Sequence, residues 1–315
     1  MKIALVTPAR PGSRSGNRHT ALRWAAILRA AGHRVALGTE WNLDPRTELL
    51  LALHARRSYD SIREFAQRQP GRPLVLALTG TDVYRDIHVS DEAQASLGMA
   101  TRIIVLQPKA KEELSPRLRR RVHIVVQSSA TRLRQRPVRR RFRVCVVGHL
   151  REEKDPLRAL YALRHLDPAA LDIEVLQLGG ALDDAIAARA RAAMRREMRY
   201  RWLGAVSHSS ALRWLASSHL MVISSRMEGG ANVVSEAIRI GVPVLASRIS
   251  GNVGLLGATY PAYFPLGDDR ALARLILRAA KESAFYAALK RRGWLLRPRV
   301  SPSSEERALL AALQG

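Results

Sequence analysis

The 315-residue chain is short of several residue types, and each shortage removes a class of protein. A single cysteine, Cys145, excludes an internal disulfide and any cysteine-rich metal site. It lies in the apolar run FRVCVVG, so a buried core thiol is expected there rather than a nucleophile. No apolar run approaches the roughly 18–20 residues that span a bilayer, so no stable membrane insertion is expected. The apolar stretch in MKIALVTPARPG is too short for the core of a secretion signal, and a cytoplasmic location is expected. Aromatic residues are only 5% of the chain, which leaves few platforms for stacking nucleic-acid bases. Acidic residues are also few, 27 against 52 basic ones, for a net charge of +25. Lysine is scarcer still, with 6 residues against 46 arginines.

What is present points to a folded, two-part α/β protein. A hydrophobic content of 47% excludes a disordered basic tail. About 315 residues exceeds the usual single core, so two domains are expected. Short apolar runs alternate with longer amphipathic ones, the pattern of a parallel sheet with crossover helices. KIALVT (2–7), HRVALG (33–38), LLLALH (49–54), PLVLALTG (73–80), RIIVLQ (102–107) and VHIVVQ (122–127) read as strands. The polar, basic stretch SSATRLRQRPVRRR (128–141) then breaks the series and reads as a linker.

The alternation restarts with FRVCVVGHL (142–150), a helix over 155–166, and LDIEVLQLGG (171–180). Helices around 182–199, 209–217 and 231–240 and the strands HLMVISS (219–225) and VPVLAS (242–247) follow. The last fifty residues read as helices over 268–292 and 302–313. The expected organisation is two doubly wound domains, 1–137 and 138–315, with the last helix packing back on the first. Ligands of such sheets bind at the C-terminal ends of the strands, which implies a cleft where two such domains face each other.

The most informative stretch is SSRMEGGANVVSEA (224–237). An apolar strand ends at Ser225, Glu228 and the pair Gly229-Gly230 form a turn, and a helix opens near Ala231 and Asn232. The helix carries Glu236. Two glutamates eight positions apart mean little alone, and Glu40 and Glu48 share that spacing in a polar loop. Here the strand, the glycines and the helix supply context. The glycines would let a ligand approach the backbone, and the free N–H groups of the helix start suit phosphate or sugar oxygens. Glu228 and Glu236 would lie roughly 10 Å apart and grip one ligand at two places.

The second motif is GHLREEKDP (148–156), between a strand and a helix. His149, Arg151 and Lys154 are placed there to hold a diphosphate. In the first half, PGSRSGNRHT (11–20) is a Gly-Ser-rich loop before a helix. Gly12, Ser13, Arg14, Ser15, Gly16, Asn17 and Arg18 would suit a small phosphate-like anion, although the Gly-Lys-Ser/Thr ending of a nucleotide P-loop is missing. Thr81 and Asp82 end the strand LALTGTD, where Asp82 is either a reacting group or a helix cap. His54 and Arg56 sit at another strand end, and His54 reads equally well as a structural histidine. No Asp-x-Asp pair occurs, and neither metal nor organic cofactor is expected.

Together the two motifs resemble the nucleotide-sugar glycosyltransferases of the two-Rossmann GT-B fold, of the GT4-like class. That family carries a Glu-Lys loop and a Glu-x7-Glu motif about eighty residues apart. Glu153-Lys154 and the pair Glu228 and Glu236 match them, and GVPVLASRISGNVGLL (241–256) matches a later strand and loop. The resemblance implies that Lys154 holds the donor diphosphate, that Glu228 contacts the donor sugar or the nearby loop, and that Glu236 binds ribose hydroxyls. Glu228 and Lys154 are therefore catalytic candidates, and Asp82 joins them from its position at the end of its strand. The family's loop arginine is His149 here, so His149 or Arg151 has to supply that contact.

A narrower resemblance covers nearly the whole chain. ARPGSRSGNRHTALRW, LLALHARRS, LALTGTDVYRDI and VVQSS, with GHLREEKDP downstream, are similar to the selenosugar synthases of selenoneine biosynthesis. That resemblance implies a reaction of selenophosphate with a UDP-sugar, UDP-GlcNAc or UDP-glucose, forming a carbon–selenium bond at the anomeric carbon. A selenium nucleophile that is already anionic needs positive charge around it more than a general base.

Two other readings are open at this stage. One keeps the fold and uses a carbohydrate or lipid hydroxyl as acceptor. The other is a nucleic-acid-binding protein, suggested by 12 arginines and no acid in residues 114–151. The scarcity of aromatics argues against it, and no nucleic-acid partner is expected.

Overall fold

The computed structural model describes every residue except Arg14, Ala170 and Gly315. Contacts divide the chain into two compact units. The first contains Met1–Gln127, Glu228–Ala231 and Pro302–Gly315, and the second contains Ser128–Met227 and Asn232–Ser301.

The first unit is built on six parallel strands. In chain order it runs β1 (Lys2–Val6), α1 (Gly16–Ala30), β2 (Arg34–Gly38), β3 (Leu49–Leu53), α2 (Tyr59–Arg68) and β4 (Leu74–Leu78). A single π-helical turn, Asp82–Asp86, leads into the short α3 (Ile87–Val89). Then come α4 (Asp91–Met99), β5 (Arg102–Val105), α5 (Pro116–Arg119) and β6 (Val122–Ile124). The strand order is β2-β1-β3-β4-β5-β6, so the winding reverses between β1 and β3.

Period-2 alternation along the strands feeds two cores. Leu49, Leu51 and Leu53 join Trp24 and Leu28 of α1 on one face. Leu50 and Ala52 join Ile62 and Phe65 of α2 and Leu97 of α4 on the other. Burial on both faces is why β3 reads as one unbroken apolar run.

The second unit repeats the plan. Its elements are β7 (Phe142–Val147), α6 (Arg158–Ala162), β8 (Ile173–Leu178), α7 (Asp184–Met194), β9 (Tyr200–Trp202) and α8 (His208–Ala216). They continue with β10 (Leu220–Ile223), α9 (Asn232–Ile240), β11 (Val244–Ser247), α10 (Ser250–Leu256), β12 (Tyr263–Phe264), α11 (Asp269–Lys281) and α12 (Ser283–Leu296). All pairings are parallel, in the order β12-β11-β10-β7-β8-β9, and the reversal falls between β7 and β10. Cys145 is fully buried in β7, where desolvation pushes its thiol up to about 12 and leaves no reactive thiolate.

The basic stretch after Gln127 carries no regular element. It is tied to the second unit by Gln135 N–H to Ile240 O, Arg136 N–H to Ala216 O and Val138 N–H to Ser217 O, at 2.8–3.1 Å. The last helix, α13 (Pro302–Gln314), belongs to the first unit. Its Leu309, Ala312 and Leu313 enter the core of α1. Buried Glu305 accepts from Arg23 Nε and from the indole N–H of Trp24, both at 2.8 Å.

Three expected elements differ. The helix over 155–166 shrinks to α6, because Asp155 takes a left-handed conformation (φ 41°) after a 3-10 turn at Glu152–Lys154. The helix over 268–292 is two helices, broken where Glu282 is extended. The helix over 182–199 stops at Met194, and β9 follows.

Candidate functional site

In a doubly wound sheet the ligand crevice lies beyond the strand ends at the reversal of winding. In the second unit that point is flanked by the loops after β7 and β10. The β7 loop carries His149, Arg151 and Lys154. Ser224, just past β10, donates its hydroxyl to the carbonyl of Asp155 at 2.8 Å and to that of Lys154 at 3.2 Å. Arg226 N–H bonds the Glu153 carbonyl at 2.8 Å. The two loops that the sequence singled out are therefore bonded to each other.

The neighbouring β8 loop sets the conformation of His149. Its Nδ1 accepts from Gly180 N–H at 3.0 Å, so the ring proton of the neutral imidazole lies on Nε2, as a donor. Gly179 has φ 141°, and a Cβ there would overlap the Gly148 carbonyl and lie 2.8 Å from His149 N. Only glycine lets these two loops approach so closely. The Gly179 carbonyl accepts from Trp202 Nε1 at 2.8 Å, and its N–H bonds Gly204 O at 2.9 Å. Arg151 Nε is buried with no hydrogen-bond partner, an unsatisfied donor of the kind an anion completes.

Glu236 lies on α9, one turn inside the helix that starts at Asn232. Its Oε1 is 2.7 Å from Nε2 of His208, at the start of α8. Sequence reading did not find His208, because a partner 28 residues away leaves no local signal.

Glu228, Gly229, Gly230 and Ala231 belong to the first unit. Glu228 is buried. A Cβ on Gly229 would lie 2.6 Å from Gly80 N, and one on Gly230 would lie 2.6 Å from Leu106 Cβ. These glycines are required by close packing against the ends of β4 and β5. The expectation that they make room for a ligand missed this packing.

In the first unit the winding reverses between β1 and β3. The expected anion-binding residues Gly12–Arg18 span the end of the loop after β1 and the first turn of α1, and Arg14 among them lies outside the described residues. Gly12 has a positive φ, and Ser13 Oγ accepts from Ser15 N–H at 3.2 Å. Ser15 caps α1, accepting from Arg18 N–H at 3.3 Å, while Gly16 and Asn17 form the first turn. After β3 comes buried His54, with φ 78°, a strained conformation for a histidine. Its Nε2 is 3.4 Å from Thr81 Oγ1 and 3.8 Å from Asp86. Burial holds its pKa below the ordinary value. Asp86 also meets Arg56 Nε at 3.0 Å and Arg85 Nε at 3.2 Å.

Asp82 is fully buried, with both carboxylate oxygens engaged by backbone donors. Oδ1 accepts from Thr79 and Gly80 N–H at 2.9 and 2.7 Å, and Oδ2 accepts from Ala55 N–H at 3.1 Å. It joins the loops after β3 and β4. Among the described residues no group of three or more His, Cys, Asp or Glu is arranged to hold a metal ion.

Solved structures with the same architecture include the Anabaena protein HepE in complex with UDP. It is 16% identical, with 99% of both chains covered and a TM-score of 0.81. HepE in complex with UDP-glucose gives 16%, the same coverage and 0.79. Sucrose-phosphate synthase from Thermosynechococcus elongatus is 17% identical over 99% of this chain and all of that one, with a TM-score of 0.75. These likenesses show the fold, two Rossmann-like units of the GT-B class. The family described as glycosyl transferases group 1 matches residues 130–294, more than half of the chain. The protein therefore belongs to the glycosyl transferases group 1 family.

Proposed function

We propose that this glycosyltransferase uses a UDP-sugar donor and selenophosphate as acceptor. The observation that carries the donor half is the loop pair at the reversal of the second sheet. There His149, Arg151 and Lys154 gather on a loop bonded to the end of β10, and Arg151 keeps an unsatisfied buried N–H. Similarity of fold to HepE, solved with UDP and with UDP-glucose, supports the same reading. Lys154 and Arg151 hold the diphosphate, and His149 adds a neutral N–H donor. Glu236, oriented by His208, takes the ribose hydroxyls. The N-terminal N–H groups of α9, at Asn232, face oxygen ligands. Glu228 addresses the donor sugar.

The acceptor half rests on the sequence resemblance and on the chemistry of the first unit. The segment Gly12–Arg18 offers hydroxyls, backbone N–H groups and Arg18 to a small anion, with Thr81 from the β4 end. Asp82 gives its carboxylate to three backbone donors, so we assign it to positioning the loops. Selenium attacks C1, the C1–O bond to the diphosphate breaks, and UDP leaves. Positive charge at Lys154 and Arg151 stabilises the leaving group. Water then cleaves the Se–P bond, releasing phosphate and the selenol sugar.

The test is UDP release from a panel of UDP-sugars with and without selenophosphate, with mass spectrometry of the product. Release that depends on selenophosphate and yields a 1-seleno sugar is expected. Release with a carbohydrate or lipid hydroxyl acceptor and none with selenophosphate overturns the acceptor assignment.

A further inference from the structure

The C-terminal end of α12 carries a surface that the proposed chemistry does not use. Phe285 and Leu289 turn inward, and the opposite face is left to solvent. On that face Trp294 is 63% exposed and Leu295 55%. Trp294 is the exposed one among five tryptophans. Lys290 and Arg291 lie one turn earlier, and Arg299 follows the helix. All three are exposed and make no ion pair among the described residues. From Ser283 to Ser304 the sequence contains no Asp or Glu.

A second acid-free stretch, within 114–151, lies against this one. Ser129 N–H bonds Val300 O at 3.2 Å, and Gln135 Nε2 bonds the Tyr286 hydroxyl at 3.0 Å. Between those anchors are exposed Arg132 and Arg134. Arg297 lies close enough to Arg134 and Arg239 to feel both positive charges, and Arg239 Nε is buried with no partner. The second unit thus brings the stretch with exposed Arg132 and Arg134 toward the end of the helix that carries Trp294 and Leu295.

We propose that this face docks on an anionic lipid bilayer. Charge complementarity selects the partner's sign, and the apolar pair selects its class. An indole at the boundary of headgroups and acyl chains buries its ring while its N–H stays wet, and a leucine beside it gains an apolar surrounding. The flanking Lys and Arg side chains meet the lipid phosphates. A nucleic acid would satisfy the arginines but offers no apolar volume to Leu295. No helix among the described residues is long and apolar enough to cross a membrane, so the contact is peripheral. The inference is independent of the acceptor assignment, because it concerns binding and not turnover.

The test is co-sedimentation of the full chain with phosphatidylcholine vesicles, with and without phosphatidylglycerol. Binding that requires phosphatidylglycerol is expected. Trp294→Ser with Leu295→Ser should weaken it about tenfold, from the loss of buried apolar area. Lys290→Gln, Arg291→Gln and Arg299→Gln together should weaken it by up to about fivefold per charge removed, less at high salt. Arg189→Gln, Arg195→Gln and Arg196→Gln remove the same charge elsewhere on this unit and should change binding only a few-fold. A second readout tolerates any folding defect in the serine variant. Brominated lipid should quench tryptophan fluorescence in the parent and not in Trp294→Phe. Equal loss from both charge triplets, unchanged binding in the serine variant, or quenching that survives Trp294→Phe overturns the proposal. So does binding of RNA through this face with none to vesicles.

Discussion

Gly179 is where sequence, packing and proposed function meet most tightly, and three glycine substitutions separate their contributions. Gly179→Ala adds two costs. A side chain at φ 141° is strained, by about 1–3 kcal/mol. Its Cβ also overlaps the Gly148 carbonyl and sits 2.8 Å from His149 N. Relief requires roughly 1 Å of backbone movement, since carbon contacts settle near 3.5–4.0 Å. That movement strains the bonds Gly148 N–H to Leu178 O and Leu150 N–H to Gly180 O, at 2.8 and 2.9 Å, each worth about 1 kcal/mol. A loss of about 4 kcal/mol follows.

Gly204→Ala gives positive-φ strain without a clash: φ is 67°, in the left-handed region, and a Cβ there meets nothing within 4 Å, so about 1–2 kcal/mol is expected. Gly180→Ala isolates the contact. Its Cβ would lie 3.4 Å from Ala205 Cβ and 3.5 Å from His149 Nδ1, costing under about 1 kcal/mol. Urea denaturation ranks the stabilities, and calorimetric titration with UDP reads the loop. UDP affinity should fall at least about tenfold in Gly179→Ala, whose clash displaces His149, and stay near the parent value in Gly204→Ala. Equal destabilisation of these two variants, or parent-like UDP binding by Gly179→Ala, refutes the argument.

Four further outcomes follow from single side chains. Glu305→Ala leaves the buried Trp24 N–H without an acceptor and should cost about 3 kcal/mol in urea denaturation, whereas Glu305→Gln keeps an acceptor and should cost about half as much. His208→Ala should raise KM for the UDP-sugar several-fold at nearly constant kcat, if its 2.7 Å contact orients Glu236, and His208→Gln should recover part of it. His54 titrates below its ordinary value because burial disfavours the imidazolium, so below about pH 6.5 the unfolded chain binds the proton more readily. Stability is then fully present above that pH and declines on acidification, and His54→Asn, which tolerates a positive φ, should flatten the acid side of a urea-midpoint profile. Arg143→Lys should cost about 2 kcal/mol, because one guanidinium bonds Glu174 at 2.8 Å and Ser217 at 2.9 Å and lies over the Trp214 ring, while Arg140→Lys should be neutral in the same measurement.

The long strands were legible because burial on both faces writes an unbroken apolar run, as in Leu49–Leu53. β9 was not, because Tyr200-Arg201-Trp202 is three residues long and follows a charged helix end. The break between α11 and α12 carries no glycine or proline, so nothing local marks it. At the candidate site, the β7 loop and the Glu228–Glu236 stretch were legible because strand, turn and helix occur in one continuous segment. The pairing of His208 with Glu236 and the backbone donors that engage Asp82 depend on loops brought together by the sheet. The glycine pair was recognised, but its neighbours at β4 and β5 are remote in sequence.

The net charge of +25 gains a physical division from the structure. Buried or half-buried acids consume particular arginines: Glu174 holds Arg143, Asp86 holds Arg56 and Arg85, and Glu305 holds Arg23. These pairs fix geometry, and breaking one strands a desolvated carboxylate. The arginines left over are not scattered evenly. Arg132 to Arg140 and Lys290 to Arg299 fall in stretches without a single acid. Exposed charges of one sign repel, at a cost that salt screening reduces over about 10 Å at moderate ionic strength. At the end of α12, exposed Lys290, Arg291 and Arg299 share the surface with an exposed tryptophan and leucine, an arrangement that suits a binding face better than a by-product of composition. The charge therefore describes two populations: arginines whose hydrogen-bonding fork is structural and intolerant of lysine, and arginines whose role is long-range attraction, where lysine serves as well.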